Sequence, residues 1–260
     1  MSRFLQWILS ILVMVLASFS AVADTVTVAV ASNFAETAER LVRVFESSSA
    51  HRVRLIRGSS GRLYAQIING APIDVFLSAD VERPRQLERR SLVQQGSRFT
   101  YAIGELVIWS RDPELDGKDC LTRLRQASRK KVAIANPLLA PYGAAAKEFL
   151  QQESIWEDLQ PNLVFGENIA QAMQFTATGN ASIGLVARSQ IVLGGLPATS
   201  CMLPVPTGTH APIKQDAVIT RRAINNNAAT AFTKFIRSEE SREVIRQFGY
   251  LLPEIVEERP

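Results

Sequence analysis

Residues 25–45 read TVTVAVASNFAETAERLVRVF, and the change of period inside this stretch decides the fold. Thr25 to Ala31 is a β-branched and small apolar run, whereas Phe34, Ala38, Leu41, Val42 and Phe45 recur at helical spacing. A strand therefore runs straight into an amphipathic helix, with Ser32 and Asn33 at the junction. The same arrangement recurs three times downstream. RVRLIRG (52–58) leads into Ser59-Ser60-Gly61, KVAIANP (131–137) into Pro141-Tyr142-Gly143, and NLVFGE (162–167) into Asn168-Ile169. A helix N-terminus exposes unpaired N–H groups and the positive end of the macrodipole. Four such junctions aimed at one cleft would form an anion trap that needs no Lys or Arg. That pattern points to binding rather than catalysis.

Outward from these junctions the chain alternates between the two periods. A strand from Arg52 to Ile56, a helix from Leu63 to Asn69 stopped by Gly70 and Pro72, and a strand from Asp74 to Leu77 complete a βαβαβ pattern. This implies a parallel sheet covered by helices. A charged helix from Glu82 to Arg90 and one longer strand from Tyr101 to Ser110 follow. The second series comprises a helix over Leu121 to Ala127, a strand over Lys131 to Ala135, a helix over Gly143 to Gln152, a strand over Asn162 to Phe165, a helix over Ile169 to Thr178 and a strand over Ser182 to Ala187. A strand from Ala217 to Thr220 and helices over Asn226 to Arg237 and Glu239 to Phe248 end the pattern. The expected architecture is α/β and two-lobed: lobe I over 24–101 and 216–260, lobe II over 102–215. Two crossing segments, near Thr100 to Ile103 and Thr209 to Asp216, would act as a hinge.

The first 23 residues carry one charge, Arg3, then an apolar run from Trp7 to Ala17 and an Ala21-Val22-Ala23 ending. This is the order of a secretory signal cleaved near Ala23, with an apolar segment too short to span a bilayer. The alternative is an uncleaved anchor. A periplasmic, exported product is expected. The 29 Lys and Arg against 25 Asp and Glu make a mildly basic chain, but the charges are interleaved, as in ERPRQLERR, and no aromatic residues punctuate a basic stripe. Nucleic acid is therefore not an expected partner. Cys120 and Cys201 lack C-x-x-C spacing. In an oxidising compartment one disulfide and two separate buried thiols weigh equally. With only His51 and His210 to help, neither a zinc site nor any bare-cation site is expected, and no cofactor motif is present.

Each junction also has a bland explanation. Asn33 with Glu36 fits a capping box, Gly58-Ser59-Ser60-Gly61 fits an ordinary turn, Pro141 starts helices well, and Asn168 is a good cap. Only their shared place beyond the carboxyl ends of strands favours a ligand site. For an enzyme the signals are thin. GSSGR is not a G-x-S-x-G elbow, no phosphate-binding glycine motif occurs, and neither histidine has an evident acid partner.

The residues resemble the periplasmic molybdate-binding proteins, the ABC-transporter solute receptors usually called ModA. The resemblance runs through VASNF, GSSGRLYAQIINGAPIDVFLSAD, SRFTYAIGELVIWS, ANPLLAPYGAAAKEFL, GENIAQAM, ASIGLVARSQI and FGYLLP. It implies a type II periplasmic binding-protein fold with a hinge. The oxyanion would be held by Ser32, Asn33, Ser60, Tyr142 and the backbone at Ile169, with Ser59 a neighbour only. One branch of the family supplies a tyrosine from the segment matching GLVARSQ. Here that position is Ala187, so the aromatic hydroxyl would come from Tyr142 instead, as in the other branch. The implied function is capture of molybdate, and of the similarly sized tungstate, by a monomer that delivers it to a membrane permease with its ATPase. A fully ionised tetrahedral dianion offers only acceptors, so its site wants only donors. Monoprotonated phosphate would also need an acceptor, for which Glu167 is the one nearby acid. Receptors for sulfate or phosphate, and an exported hydrolase using a GSSG serine, are the alternatives.

Overall fold

The computed structural model describes residues 24–112, 120–127, 130–193 and 201–254; the secretory segment expected over 1–23 lies outside them. Two five-stranded sheets organise the chain. The first takes β1 (Thr25–Ala31), β2 (Arg52–Gly58), β3 (Val75–Leu77), β4 (Phe99–Gly104) and, from much later in the chain, β10 (Ile213–Ile219), in the order β2-β1-β3-β10-β4. The second takes β5 (Leu106–Ser110), β6 (Val132–Ala135), β7 (Leu163–Gly166), β8 (Ile183–Ala187) and β9 (Cys201–Pro204), in the order β7-β6-β8-β5-β9.

Both sheets are covered on both faces, which is why inner strands such as β1, β6 and β8 are apolar runs, while the edge strand β2 alternates. In β1, Val26, Val28 and Val30 pack with Leu41 and Phe45 of α1 (Ala35–Ser48) and with Phe232 and Ile236 of the helix Asn227–Ile236. Ala29 points the other way, into a cluster with Leu63 and Ile67 of α2 (Ser60–Ile68) and Leu87 of α3 (Glu82–Arg89). The second sheet is built likewise. Val132 and Ile134 pack with Leu124 of α4 (Cys120–Arg125) and Phe149 and Leu150 of α5 (Pro141–Gln152), while Val107 and Trp109 face the opposite side with Val186 and Ile191. Burying each such side chain stabilises by about 1.5–3 kcal/mol.

Three expectations are corrected. The single strand expected from Tyr101 to Ser110 is two strands in different sheets. β4 pairs with β10 as far as Gly104 opposite Ile213, and β5 begins pairing with β8 at Leu106 opposite Ala187. Only Glu105 separates them; the chain stays extended through the change, so periodicity carries no mark of it. The first passage between sheets therefore lies just beyond the expected Thr100 to Ile103, and the return lies between Pro204 and Ile213. Second, the sheets are mixed and not wholly parallel: β10 is antiparallel to β3 and β4, and β5 is antiparallel to β8 and β9. A strand arriving from the other sheet enters from the opposite end, which reverses its direction. Third, the strand expected over Ala217 to Thr220 begins at Ile213, and the short elements α6 (Trp156–Leu159), Arg188–Leu193 and β9 were not legible from pattern. The question of Cys120 and Cys201 is answered by a disulfide with a Cα–Cα separation of 5.8 Å, tying α4 to β9 within the second lobe.

Candidate oxyanion site

The strand-to-helix junctions meet. Ser32, Asn33, Ser60, Tyr142 and Ile169 all line one small cavity between the two sheets, of about 10 Å³, together with Ala79, Ala140 and others. A space this small excludes a sugar or a peptide. None of the residues lining it carries a charged side chain.

From the first lobe, Ser32 follows the end of β1 and opens the 3₁₀ turn Ser32–Phe34, whose carbonyl end is tied by Ala35 N–H donating to Ser32 O. Ser59 is the N-cap of α2, its hydroxyl accepting from Arg62 N–H at 3.4 Å, as the ordinary-turn reading requires. Ser60, one residue on and 1 % exposed, does something different. Its Oγ accepts from Ala79 N–H at 2.9 Å, which commits the oxygen and leaves its hydroxyl proton to donate.

Asn33 departs from the capping expectation. Phe34 occupies the N-cap position of α1 with no side-chain cap bond, and Asn33 is buried instead. Its Nδ2 donates to Gln215 Oε1 at 3.0 Å and to Tyr250 Oη at 3.1 Å, so both amide hydrogens are used on protein acceptors. A capping box cannot form when the amide is drawn into the lobe interior.

From the second lobe, Pro141 occupies the first turn of α5, where its missing N–H costs nothing, and Ala140 is the N-cap. Tyr142 is buried with its ring in the second lobe's core, and its hydroxyl reaches across to accept from Gln215 Nε2 of β10 at 3.5 Å. Gly104 makes this reach possible, because a Cβ there would lie 2.0 Å from the Tyr142 hydroxyl. Burial raises the Tyr142 phenol well above its ordinary range, so it remains a neutral O–H donor. Ile169 is the first residue of α7 (Ile169–Ala177). The Asn168 cap takes the N–H groups of Ala170 and Gln171 at 3.0 and 3.1 Å, so Ile169 N–H lacks both an intrahelical partner and the cap.

Backbone and rim contacts join the lobes around this cavity. Gly61 N–H donates to Leu139 O at 2.9 Å, and Arg83 Nη2 donates to Leu138 O at 3.1 Å. Gly61 is needed here: an added Cβ would meet Leu139 O at 2.9 Å. Glu167, the acid that could have accepted a ligand proton, instead forms an exposed ion pair with Arg62 at the rim. Nor does a serine nucleophile find a base. His51 stacks on Phe45 and His210 Nδ1 lies against Ala211 O. Sequence reasoning missed the floor of the site, made by Gln215, Tyr101 and Tyr250. The one signal available was a glutamine inside the apolar strand IKQDAVI.

The chain matches the family described as Bacterial extracellular solute-binding protein over residues 26–251. It is 44 % identical to the molybdate-binding protein ModA of Rhodobacter capsulatus over 89 % of this chain and 90 % of that protein. To the ModA of Azotobacter vinelandii it is 42 % identical over 89 % and 91 %. Among solved structures, the Azotobacter vinelandii periplasmic molybdate-binding protein superposes with a TM-score of 0.82 at 36 % identity, covering 88 % of this chain and all of that one. A sulfate-binding protein from Mycobacterium tuberculosis shares the fold at a TM-score of 0.70 and 13 % identity. The two-lobed α/β architecture, the donor-lined cavity between the lobes and these identities over nearly the whole described chain lead to one assignment: the chain is a bacterial extracellular solute-binding protein of the ModA family, a binding protein and not an enzyme.

Proposed function

We propose that this protein captures molybdate in the periplasm and delivers it to the permease and ATPase of an ABC transporter, acting as a monomer and binding tungstate comparably. The observation that carries the reading is the composition of the cavity: hydroxyls, helix N-termini and no charged side chain. The two serine hydroxyls, the tyrosine O–H and the N-terminal N–H groups of α5 and α7 are donors, matching an anion that presents only acceptors. The charge is met by distributed dipoles, each hydrogen bond to it contributing about 1.5–3 kcal/mol. Monoprotonated phosphate is disfavoured, since its proton finds no carboxylate there. Sulfate is the same charge and shape but smaller, so any discrimination between the two has to come from the size of the ligand-bound cavity.

In this reading Glu105 and the 205–212 segment form the hinge between lobe I and lobe II, and ligand closes the cleft by bridging Ser32 and Ser60 to Tyr142 and Ile169. Calorimetric titration with molybdate, tungstate, sulfate and phosphate tests it. One site per chain is expected, with molybdate and tungstate far tighter than the others. Sulfate binding as tightly as molybdate would remove the proposed selectivity.

A further inference from the structure

Beneath the cavity lies a fully buried glutamine that touches both lobes. Gln215 sits on β10 of the first sheet, is 0 % exposed, and has both ends of its amide engaged. The orientation of its amide can be worked out from one unambiguous acceptor. Tyr250 O–H donates to the backbone carbonyl of Asn33 at 2.7 Å, so the Tyr250 oxygen can only accept from the Asn33 amide. That places Asn33 Nδ2 on this side, and its other hydrogen goes to Gln215 Oε1. The single proton of Tyr101 O–H is shared between Ser78 O at 3.0 Å and Gln215 Oε1 at 3.1 Å. Gln215 Nε2 is thereby turned towards Tyr142 Oη, and Gly104 keeps the space between them open.

A hydroxyl oxygen that accepts from an N–H has its own proton to place elsewhere. The cavity adjoins the Tyr142 hydroxyl, as does the side chain of Asn33, whose two amide hydrogens go to Gln215 and Tyr250. We infer that Gln215 is a specificity-determining positioning residue: by donating to Tyr142, it forces the tyrosine proton into the cavity and so makes this corner a donor to fully ionised oxyanions. Gln215 touches no ligand itself; it acts through Tyr142. A carboxylate at the same place would accept the tyrosine proton, present the phenol oxygen to the anion as an acceptor, and repel the dianion.

This inference rests on the proposed oxyanion site, and the test separates the two. Molybdate is titrated by calorimetry into the wild type, Gln215→Leu, Tyr142→Phe and the double variant, with thermal melts checking folding. If the wild type fails to bind molybdate, the functional reading falls and the relay with it. If the wild type binds, Gln215→Leu is expected to weaken binding about tenfold or more, the order for one hydrogen bond to a charged group. In the Tyr142→Phe background the same substitution is expected to cost almost nothing, because the hydroxyl it acts through is gone. Equal losses in both backgrounds, or wild-type affinity in Gln215→Leu, would overturn the relay while leaving the anion site standing. Should the Gln215 variant not fold, a neutron structure of the wild type with molybdate decides the matter. Deuterium on Tyr142 directed at the anion supports the relay, and deuterium between Tyr142 Oη and the Gln215 amide defeats it.

Discussion

The two lobes are built on one plan and furnished differently. In each, a central strand is flanked by two parallel neighbours, β2-β1-β3 in one and β7-β6-β8 in the other, and the next strand is antiparallel and arrives from across the cleft. The carboxyl ends of β1 and β2 lead to Ser32 and Ser60, and those of β6 and β7 to Tyr142 and Ile169. The first lobe thus offers short hydroxyls on small residues, while the second offers one long aromatic hydroxyl and a bare helix N–H. In the proposed function, two similar scaffolds facing each other would surround a tetrahedral anion with donors from opposite sides. Unequal side chains let the second lobe reach into the first, where Gly104 and Gln215 receive Tyr142. A further asymmetry is covalent. The disulfide joins residues 81 apart in the second lobe, whereas the first lobe rests on packing and on two buried aspartates, Asp216 and Asp74, paired with the more exposed Arg98 and Arg222.

The covalent difference should give the largest effect. Replacing Cys120 and Cys201 with Ser should cost about 4–5 kcal/mol, the chain-entropy value for a loop of this length. Hydrogen exchange should place the loss of protection over β5–β9 and spare β1–β3. Equal loss in both lobes would mean that the lobes unfold as one cooperative unit.

Next come the donors, compared one lobe at a time. Ser32→Ala, Ser60→Ala and Tyr142→Phe should each weaken molybdate binding by about 1.5–3 kcal/mol, with ligand-free stability little changed for Tyr142→Phe. If only the serines mattered in titration, Tyr142 would be a cover for the cleft and not a donor. In that case Tyr142→Ala would still lose affinity while Tyr142→Phe bound like wild type.

A smaller effect belongs to the cap that frees Ile169. Asn168→Ala should lower thermal stability by about 1 kcal/mol, because the N–H groups of Ala170 and Gln171 lose their acceptor. A melt indistinguishable from wild type would show that water replaces the cap without cost. The smallest belongs to the rim. Glu167→Gln removes an exposed ion pair between lobes and should change molybdate affinity by about 0.2–1 kcal/mol, an effect that fades as salt rises. A large, salt-independent loss would instead make Glu167 part of the site.

Much of this molecule could be read from residues alone. The switch from period 2 to period 3.6 after each apolar run located nearly every long strand and helix, because burial of a strand face and of a helix stripe leaves different spacings in sequence. Ser60 and the start of the Ile169 helix were legible for a related reason: a small polar residue at a strand-to-helix junction has few roles. Which of Ser59 and Ser60 caps the helix and which meets Ala79 N–H could not be read from the residues themselves, since it depends on another strand end brought up in the fold.

Tertiary structure alone decided the rest. Asn33 looked like a cap by local rules, yet Gln215 and Tyr250, some 180 and 217 residues away, compete for its amide and win in the dry interior. The change of sheet at Glu105 was invisible, because an extended chain keeps its period when its hydrogen-bonding partner changes. The pairing of Cys120 with Cys201 and the meeting of Tyr142 with Gly104 and Gln215 belong to the same class. Local sequence specifies what each residue does to its own turn of backbone. Which distant donor, acceptor or empty space it meets is set only when both sheets have formed and the lobes lie against one another.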